Sequence, residues 1–247
     1  MEKITEYEIA KMIDHSLLHP TMDDQILKNE CEVAKKYNVA SVCIKPYAVK
    51  MAVDLLKDSD VMVGTVIGFP QGSNTVAVKV FETEEAIKDG AVEIDMVVNI
   101  GKVLGEDWDY VEKEIKAIHD VCKKHDAALK VIFENDFLPE DKFKIKLCEI
   151  CSDLKVDFVK TSTGYGFTKQ PDGSYNYKGA TEHDLKLMRK HTAKNIEVKA
   201  AGGVRTLEDT LKVRSWGVTR IGATATEPII LKLRGEEADT KPTPGGY

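Results

Sequence analysis

The chain has 247 residues, 43% hydrophobic and 31% charged, with a net charge of −6 and a pI of about 5.6; this excludes wholesale disorder, allows a sizeable core and, with both signs of charge interspersed, argues against a nucleic-acid-binding surface. No apolar run reaches the ~18–20 residues of a membrane span, and the first residues lack the basic-then-apolar order of a signal peptide. Five cysteines, an odd number, do not read as a disulfide framework, so a reducing cytoplasm is the expected compartment.

Short, β-branched apolar runs alternate with amphipathic stretches from end to end. The runs cover 12–16, 39–44, 61–68, 92–99, 128–135, 158–163, 196–203 and 220–225. Residues 23–37 open with two acidic groups, favourable at a helix N-terminus. Residues 107–125 place Val111, Ile115, Ile118 and Cys122 at steps of three and four, one apolar helix stripe. Helices are also predicted at 139–154, 182–191 and 207–216, and Gly90 and Gly217 read as helix stops. Two segments break the rhythm. Residues 164–180 form a polar insert in which Gln170-Pro171-Asp172-Gly173, flanked by Phe167, Tyr175 and Tyr177, predicts a small hairpin. Residues 236–247 are charged and rich in Pro and Gly, and predict a flexible tail.

Continuous apolar strands, each followed by a helix, indicate a parallel sheet covered by helices. Eight such units in this length fit an α/β fold of the closed (β/α)8 type, one barrel domain over 1–235. A doubly wound open sheet is the runner-up, but residues 15–20 are not the Gly-rich turn that it usually carries after its first strand.

Strands of a parallel sheet are buried on both faces, so mid-strand charge needs a reason. Alternation puts Glu93, Asp95, Val97 and Asn99 on one face, Phe158, Lys160 and Ser162 on another, Glu197, Lys199 and Ala201 on a third, and Lys130 with Glu134 on a fourth. If these faces point into the barrel, lysines and acids converge near its axis. A structural salt-bridge network and a nucleophilic lysine both fit. A second ammonium nearby disfavours the charged form of the first, and the neutral amine that results suits Schiff-base chemistry. Ala200-Ala201-Gly202-Gly203 ends the seventh run and Gly222-Ala223-Thr224-Ala225 the eighth. One Gly-Gly turn is ordinary; loops at both of these barrel positions point to a phosphate group.

These motifs together resemble the deoxyribose-phosphate aldolase family. They are IDHSLL (13–18), VCIKP (42–46), VIGFPQG (66–72), EIDMVVNIG (93–101), KVIFEN (130–135), DFVKTSTGYG (157–166), VKAAGGVRT (198–206) and RIGAT (220–224). The resemblance implies a (β/α)8 barrel and reversible cleavage of 2-deoxy-D-ribose 5-phosphate to acetaldehyde and D-glyceraldehyde 3-phosphate, with no metal or other cofactor. It implies small phosphosugar and aldehyde substrates as the only partners besides a second copy of the chain, no nucleic acid and no membrane, and a homo-oligomer, expected to be a dimer. By the same resemblance Lys160 forms the Schiff base, Lys199 keeps it nucleophilic and Asp95 relays protons through a water. Asp14 and Ser16 match positions near the second lysine and the substrate hydroxyls, and Gly202, Gly203 and Thr224 match the phosphate cradle. Tyr247 corresponds to a C-terminal tyrosine that some members fold into the site for proton transfer. Three positions depart from the family pattern: Ser16 and Asn135 stand where threonine is common, and Ala225 where a second hydroxyl often follows Thr224. A barrel that binds phosphosugars without this chemistry, and an aldolase with another donor or acceptor, are the competing functions.

Lesser signals have plainer readings. Cys148 and Cys151 are expected on a buried helix face rather than at zinc, and Cys43 in the core near the site. His15 and His19 lack an identifiable third metal ligand. Lys45 either adds charge to the phosphate site or is solvated, and Glu93 is the expected partner of Lys130.

Overall fold

The computed structural model describes residues 4–237. Eight parallel strands close into a barrel: β1 (Ile13–Leu17), β2 (Ser41–Ile44), β3 (Met62–Ile67), β4 (Glu93–Val97), β5 (Ala128–Ile132), β6 (Phe158–Lys160), β9 (Glu197–Ala201) and β10 (Arg220–Ala223). Two further strands, β7 (Thr168–Lys169) and β8 (Tyr175–Asn176), pair antiparallel as a hairpin inside the insert. The eight-strand expectation therefore holds, and the open sheet is excluded by the β1–β10 pairing that closes the ring. Several strands are shorter than their apolar runs. Residues 98–99 and 133–135 leave the ladder to form the loops at the carboxyl end of the barrel.

Helices cover the outside. Three match the predicted segments closely: α2 (Asp24–Lys36), α6 (Trp108–Lys124) and α7 (Asp141–Leu154). In α2 the Asp23 side chain accepts from the Ile26 amide and so supplies the N-cap. The α6 stripe of Val111, Ile115, Ile118 and Cys122 is fully buried against the sheet, each side chain contributing about 1.5–3 kcal/mol of burial. Helices α8 (Glu182–His191) and α9 (Leu207–Ser215) also lie where expected, and Gly217, at φ +89°, ends α9 in the left-handed region that favours glycine. Helix α4 (Val76–Lys88) ends just before Gly90, at φ +105°, where a helix stop was expected, and four helices had no sequence expectation of their own: α1 (Glu6–Ala10), α3 (Val49–Leu56), α5 (Ile100–Leu104) and α10 (Thr226–Arg234).

The α4–α6 contact contains a fully buried ion pair that patterning did not reveal. Lys79 Nζ donates to Glu114 Oε1 and to the Val97 carbonyl, both at 2.7 Å, while Glu114 Oε2 accepts from the Asn99 amide at 2.9 Å. The pair thereby ties two outer helices to the end of β4, just beyond Asp95. Among the described residues no helix is long and apolar enough to cross a membrane.

Candidate active site

Strand alternation sends Asp14, Glu93, Asp95, Lys130, Lys160, Lys199 and Arg220 into the barrel, where they form one network. Lys160 and Lys199 are direct register partners on neighbouring strands β6 and β9. Lys160 Nζ donates to Asp95 Oδ2 at 2.7 Å, and Lys199 Nζ to the same oxygen at 2.8 Å. Lys199 also lies 2.5 Å from Asp14 Oδ2. Below them Lys130 donates to Asp14 at 2.6 Å and Glu93 at 2.5 Å, and Arg220 bonds the same two carboxylates at 2.6 and 3.0 Å. The expected Glu93–Lys130 pairing is thus present.

This network holds three carboxylates and four cationic groups. Electroneutrality is reached when one lysine is uncharged. Among the described residues Lys160 has one carboxylate partner, Asp95, whereas Lys130, Lys199 and Arg220 each face at least two. Burial, the largest influence, pushes the Lys160 pKa below its ordinary value; Asp95 resists and the Lys199 charge adds to the depression. At Lys199 burial also disfavours the charge, but Asp14 and Asp95 outweigh it and hold the pKa above normal. Asp95 is itself kept ionised: burial opposes its charge, and the Lys160, Lys199 and Lys130 ammonium groups overcome that. Asp95 Oδ1 is buried and accepts no hydrogen bond among the described residues, with Lys130 Nζ 3.7 Å away. One ion-paired lysine, one lysine biased toward the free amine, and a carboxylate with an uncommitted oxygen can together support nucleophilic attack on a carbonyl and proton transfer.

The network opens at the carboxyl end of the strands into a cleft. Ser16, Lys160, Lys199, Gly202, Gly203 and Thr224 line it. Asp14 does not; fully buried, it accepts from Lys130, Arg220 and Ser41 and reaches the cleft only through Lys199. Tyr247 lies outside the described residues. Thr161 locks the strand ends that carry the lysines, its hydroxyl accepting from the Ala201 amide and donating to the Ala201 carbonyl, both at 3.0 Å. Immediately afterwards Gly202 and Gly203 turn with φ of +90° and +87°, a path that side-chain-bearing residues rarely follow.

Cys43, Thr163 and Arg205 also line the cleft. Cys43 Sγ approaches Asp95 Oδ2 at 3.9 Å, and burial, with Asp95 adding to it, pushes its thiol up to about 11. Glu134, fully buried and not among the cleft-lining residues, lies behind the loop after β6. The expectation that it shares a face with Lys130 fails because β5 stops at Ile132 and Glu134 adopts φ +58°. Its carboxylate turns instead onto the loop after β6, accepting from the Thr163 hydroxyl and, at 3.2 Å, the Thr163 amide. Burial pushes its pKa up to about 7. Asn135 also faces away from the cleft, donating to Met188 Sδ at 3.4 Å. Lys45 is not among the cleft-lining residues; half-buried, it donates to the Met22 carbonyl at 2.6 Å. His15 bonds Thr226 and Glu30, both at 2.8 Å, Cys148 and Cys151 are buried in α7, and Ala225 packs against the core. Asp141, His183 and Asp184 bring three potential metal ligands together, and Lys144 lies among them, 3.4 Å from Asp141 and 2.6 Å from Asp184.

A family model described as DeoC/LacD family aldolase matches residues 8–224, nearly the whole barrel. The chain belongs to the DeoC/LacD family of aldolases. It is 47% identical over 228 residues to a deoxyribose-phosphate aldolase from Rhodopirellula baltica, covering 92% of this chain and 90% of that one. It is 49% identical over 218 residues to one from Clostridium perfringens, covering 88% and 92%. Among solved structures, a tetrameric deoxyribose phosphate aldolase from Aeropyrum pernix superposes with a TM-score of 0.83 at 25% identity, over 94% of each chain. An aldolase called QR15 superposes with a TM-score of 0.82 at 33% identity, over 92% of this chain and 96% of that one. The protein is therefore an aldolase, a carbon–carbon lyase, and the barrel interior described above is the part of this family member suited to that chemistry.

Proposed function

We propose that this aldolase reversibly cleaves 2-deoxy-D-ribose 5-phosphate to acetaldehyde and D-glyceraldehyde 3-phosphate through a Schiff base on Lys160. The observation that carries this reading is the convergence of Lys160 and Lys199 on one Asp95 oxygen, beside a cleft rimmed by two glycine-bearing loops. The neutral Lys160 amine attacks the aldehyde carbon of the open-chain sugar, and loss of water gives an iminium. Asp95, through a water, takes the proton of the C3 hydroxyl. The C2–C3 bond then breaks, its electron pair passing into the iminium to leave an enamine, and D-glyceraldehyde 3-phosphate departs. Asp95 returns a proton to the terminal enamine carbon, and hydrolysis of the new iminium frees acetaldehyde and Lys160.

Lys199 keeps Lys160 deprotonated by like charge, and Asp14 orients Lys199. Ser16 meets the substrate hydroxyls, and Gly202, Gly203 and Thr224 hold the phosphate. Ala225 packs on the core and is not among the cleft-lining residues, which supports Thr224 as the hydroxyl donor of its loop. Tyr247 is assigned a supporting proton relay, so Tyr247→Phe should lower kcat and leave Schiff-base formation intact. The reaction belongs to the cytoplasm, and the chain is expected to work as a homo-oligomer, a dimer, measurable by sedimentation.

The direct test is borohydride reduction in the presence of acetaldehyde, followed by peptide mapping. An N-ethyl group on Lys160 is expected; placement on Lys199 or Lys130 would overturn the assignment.

A further inference from the structure

The insert is built into the cleft rim. It leaves β6 through Tyr165, whose ring meets Phe69 edge-on at 5.5 Å, and forms the β7–β8 hairpin. It returns along the loop after β9. Asp136 pins this return, its two carboxylate oxygens accepting from the Lys178 amide at 2.7 Å and the Gly179 amide at 2.9 Å. The Ala180 amide then donates to the Gly202 carbonyl at 3.0 Å. Gly179 and Gly202 approach so closely that a Cβ on Gly179 would lie 2.7 Å from the Gly202 carbonyl oxygen. Tyr177, its ring 5.5 Å from that of Phe167, closes over the same glycine: a Cβ on Gly202 would lie 1.7 Å from the Tyr177 hydroxyl oxygen.

These contacts fix a peptide plane. The Gly202 carbonyl and the Gly203 N–H belong to one trans peptide and point in opposite directions. Holding the carbonyl against Ala180 therefore sets where the Gly203 N–H points. Gly203 itself is open, since a Cβ there would meet nothing within 4 Å.

We propose that the insert is a positioning element for the anion subsite, with Tyr177 and Ala180 clamping the Gly202–Gly203 peptide so that the Gly203 N–H is presented to the substrate phosphate. This rests on the assignment of Gly202 and Gly203 to phosphate binding. Tyr177 acts through the backbone it packs on, so it governs affinity for the phosphorylated end of the substrate and leaves the lysine chemistry alone. The same clamp fixes a loop that free glycines would otherwise leave mobile.

Inorganic phosphate is the probe. The wild-type enzyme should be inhibited competitively by phosphate and should prefer deoxyribose 5-phosphate to deoxyribose. Tyr177→Ala should raise both KM for the phosphorylated sugar and Ki for phosphate by about tenfold, the loss of one well-aimed hydrogen bond to an anion. kcat, and kcat/KM for unphosphorylated deoxyribose, should stay within about twofold. Tyr177→Phe, which retains the ring and removes the atom touching Gly202, should raise both constants by about two- to fivefold, and it carries the test if the alanine variant does not fold. Unchanged KM and Ki in a folded variant would overturn the clamp while leaving the phosphate site standing, as would an equal loss with both sugars. A wild-type enzyme that phosphate does not inhibit, and that treats the two sugars alike, would instead refute the phosphate assignment and the clamp with it.

Discussion

Replacing Lys199 by leucine tests whether the lysine pair works by charge. Both ammonium nitrogens bond the same Asp95 oxygen, at 2.7 and 2.8 Å, so they lie no more than about 5.5 Å apart. At an effective dielectric constant of about 20, unit charges at that distance repel by about 3 kcal/mol, or about two pKa units. Lys199→Leu removes that repulsion and also leaves three carboxylates facing three cations, so charge balance now favours a protonated Lys160. The Lys160 pKa should therefore rise. Because the free amine is the nucleophile, a higher pKa moves the acid limb of the pH–rate profile to higher pH. We expect a shift of about two units and a fall in kcat/KM of about 100-fold near neutrality, partly recovered under alkaline conditions. The assay is kcat/KM for deoxyribose 5-phosphate from about pH 5 to about pH 10, with near-ultraviolet circular dichroism to establish the fold. A folded variant that is inactive yet keeps the wild-type acid limb would refute the electrostatic role and make Lys199 a direct proton donor.

Asp14→Asn should destabilise the protein by about 3–5 kcal/mol in urea unfolding at neutral pH, because the Lys130, Lys199 and Arg220 charges lose a shared buried partner; a loss under about 1 kcal/mol would contradict this. Although burial opposes the charge of Asp14, those cations hold its pKa well below the carboxylate range, so its contribution is full above about pH 4 and is lost as pH falls toward the folded value; a wild-type acid limb of stability unchanged in Asp14→Asn would argue otherwise. Since the proposed iminium is the electron sink, activity should survive prolonged EDTA, whereas a loss reversed by zinc would indicate a metal-dependent aldolase. With its thiol pushed up to about 11, Cys43 should react with alkylating aldehydes slowly near neutrality and about tenfold faster per pH unit, and a pH-independent rate would contradict a buried, protonated thiol.

The sequence by itself determined the barrel, because eight β-branched runs separated by helices leave few other ways to bury parallel strands on both faces. It also determined which charged side chains meet inside the barrel. A lysine in mid-strand has to point somewhere, and strict alternation makes Lys160, Lys199 and Asp95 face one axis once the sheet closes. Arg220 was equally legible by that rule, a charge at the start of the eighth run, although its bonds to Asp14 and Glu93 needed the closure of β10 onto β1. What only the tertiary structure decided lies where alternation ends. Glu134 leaves the strand pattern through one left-handed residue, so period-two reasoning pointed it the wrong way. The Lys79–Glu114 pair joins two helices through a contact that neither helix's periodicity encodes. The insert's contact with Gly202 spans loops that are adjacent only because β6 and β9 are neighbours in the barrel. Period and burial are local properties that a chain writes into its residues one by one. Which loop meets which is set by the closure of the ring, and it is there that the contact of Glu134 with the loop after β6 and the clamp on the glycine turn arise.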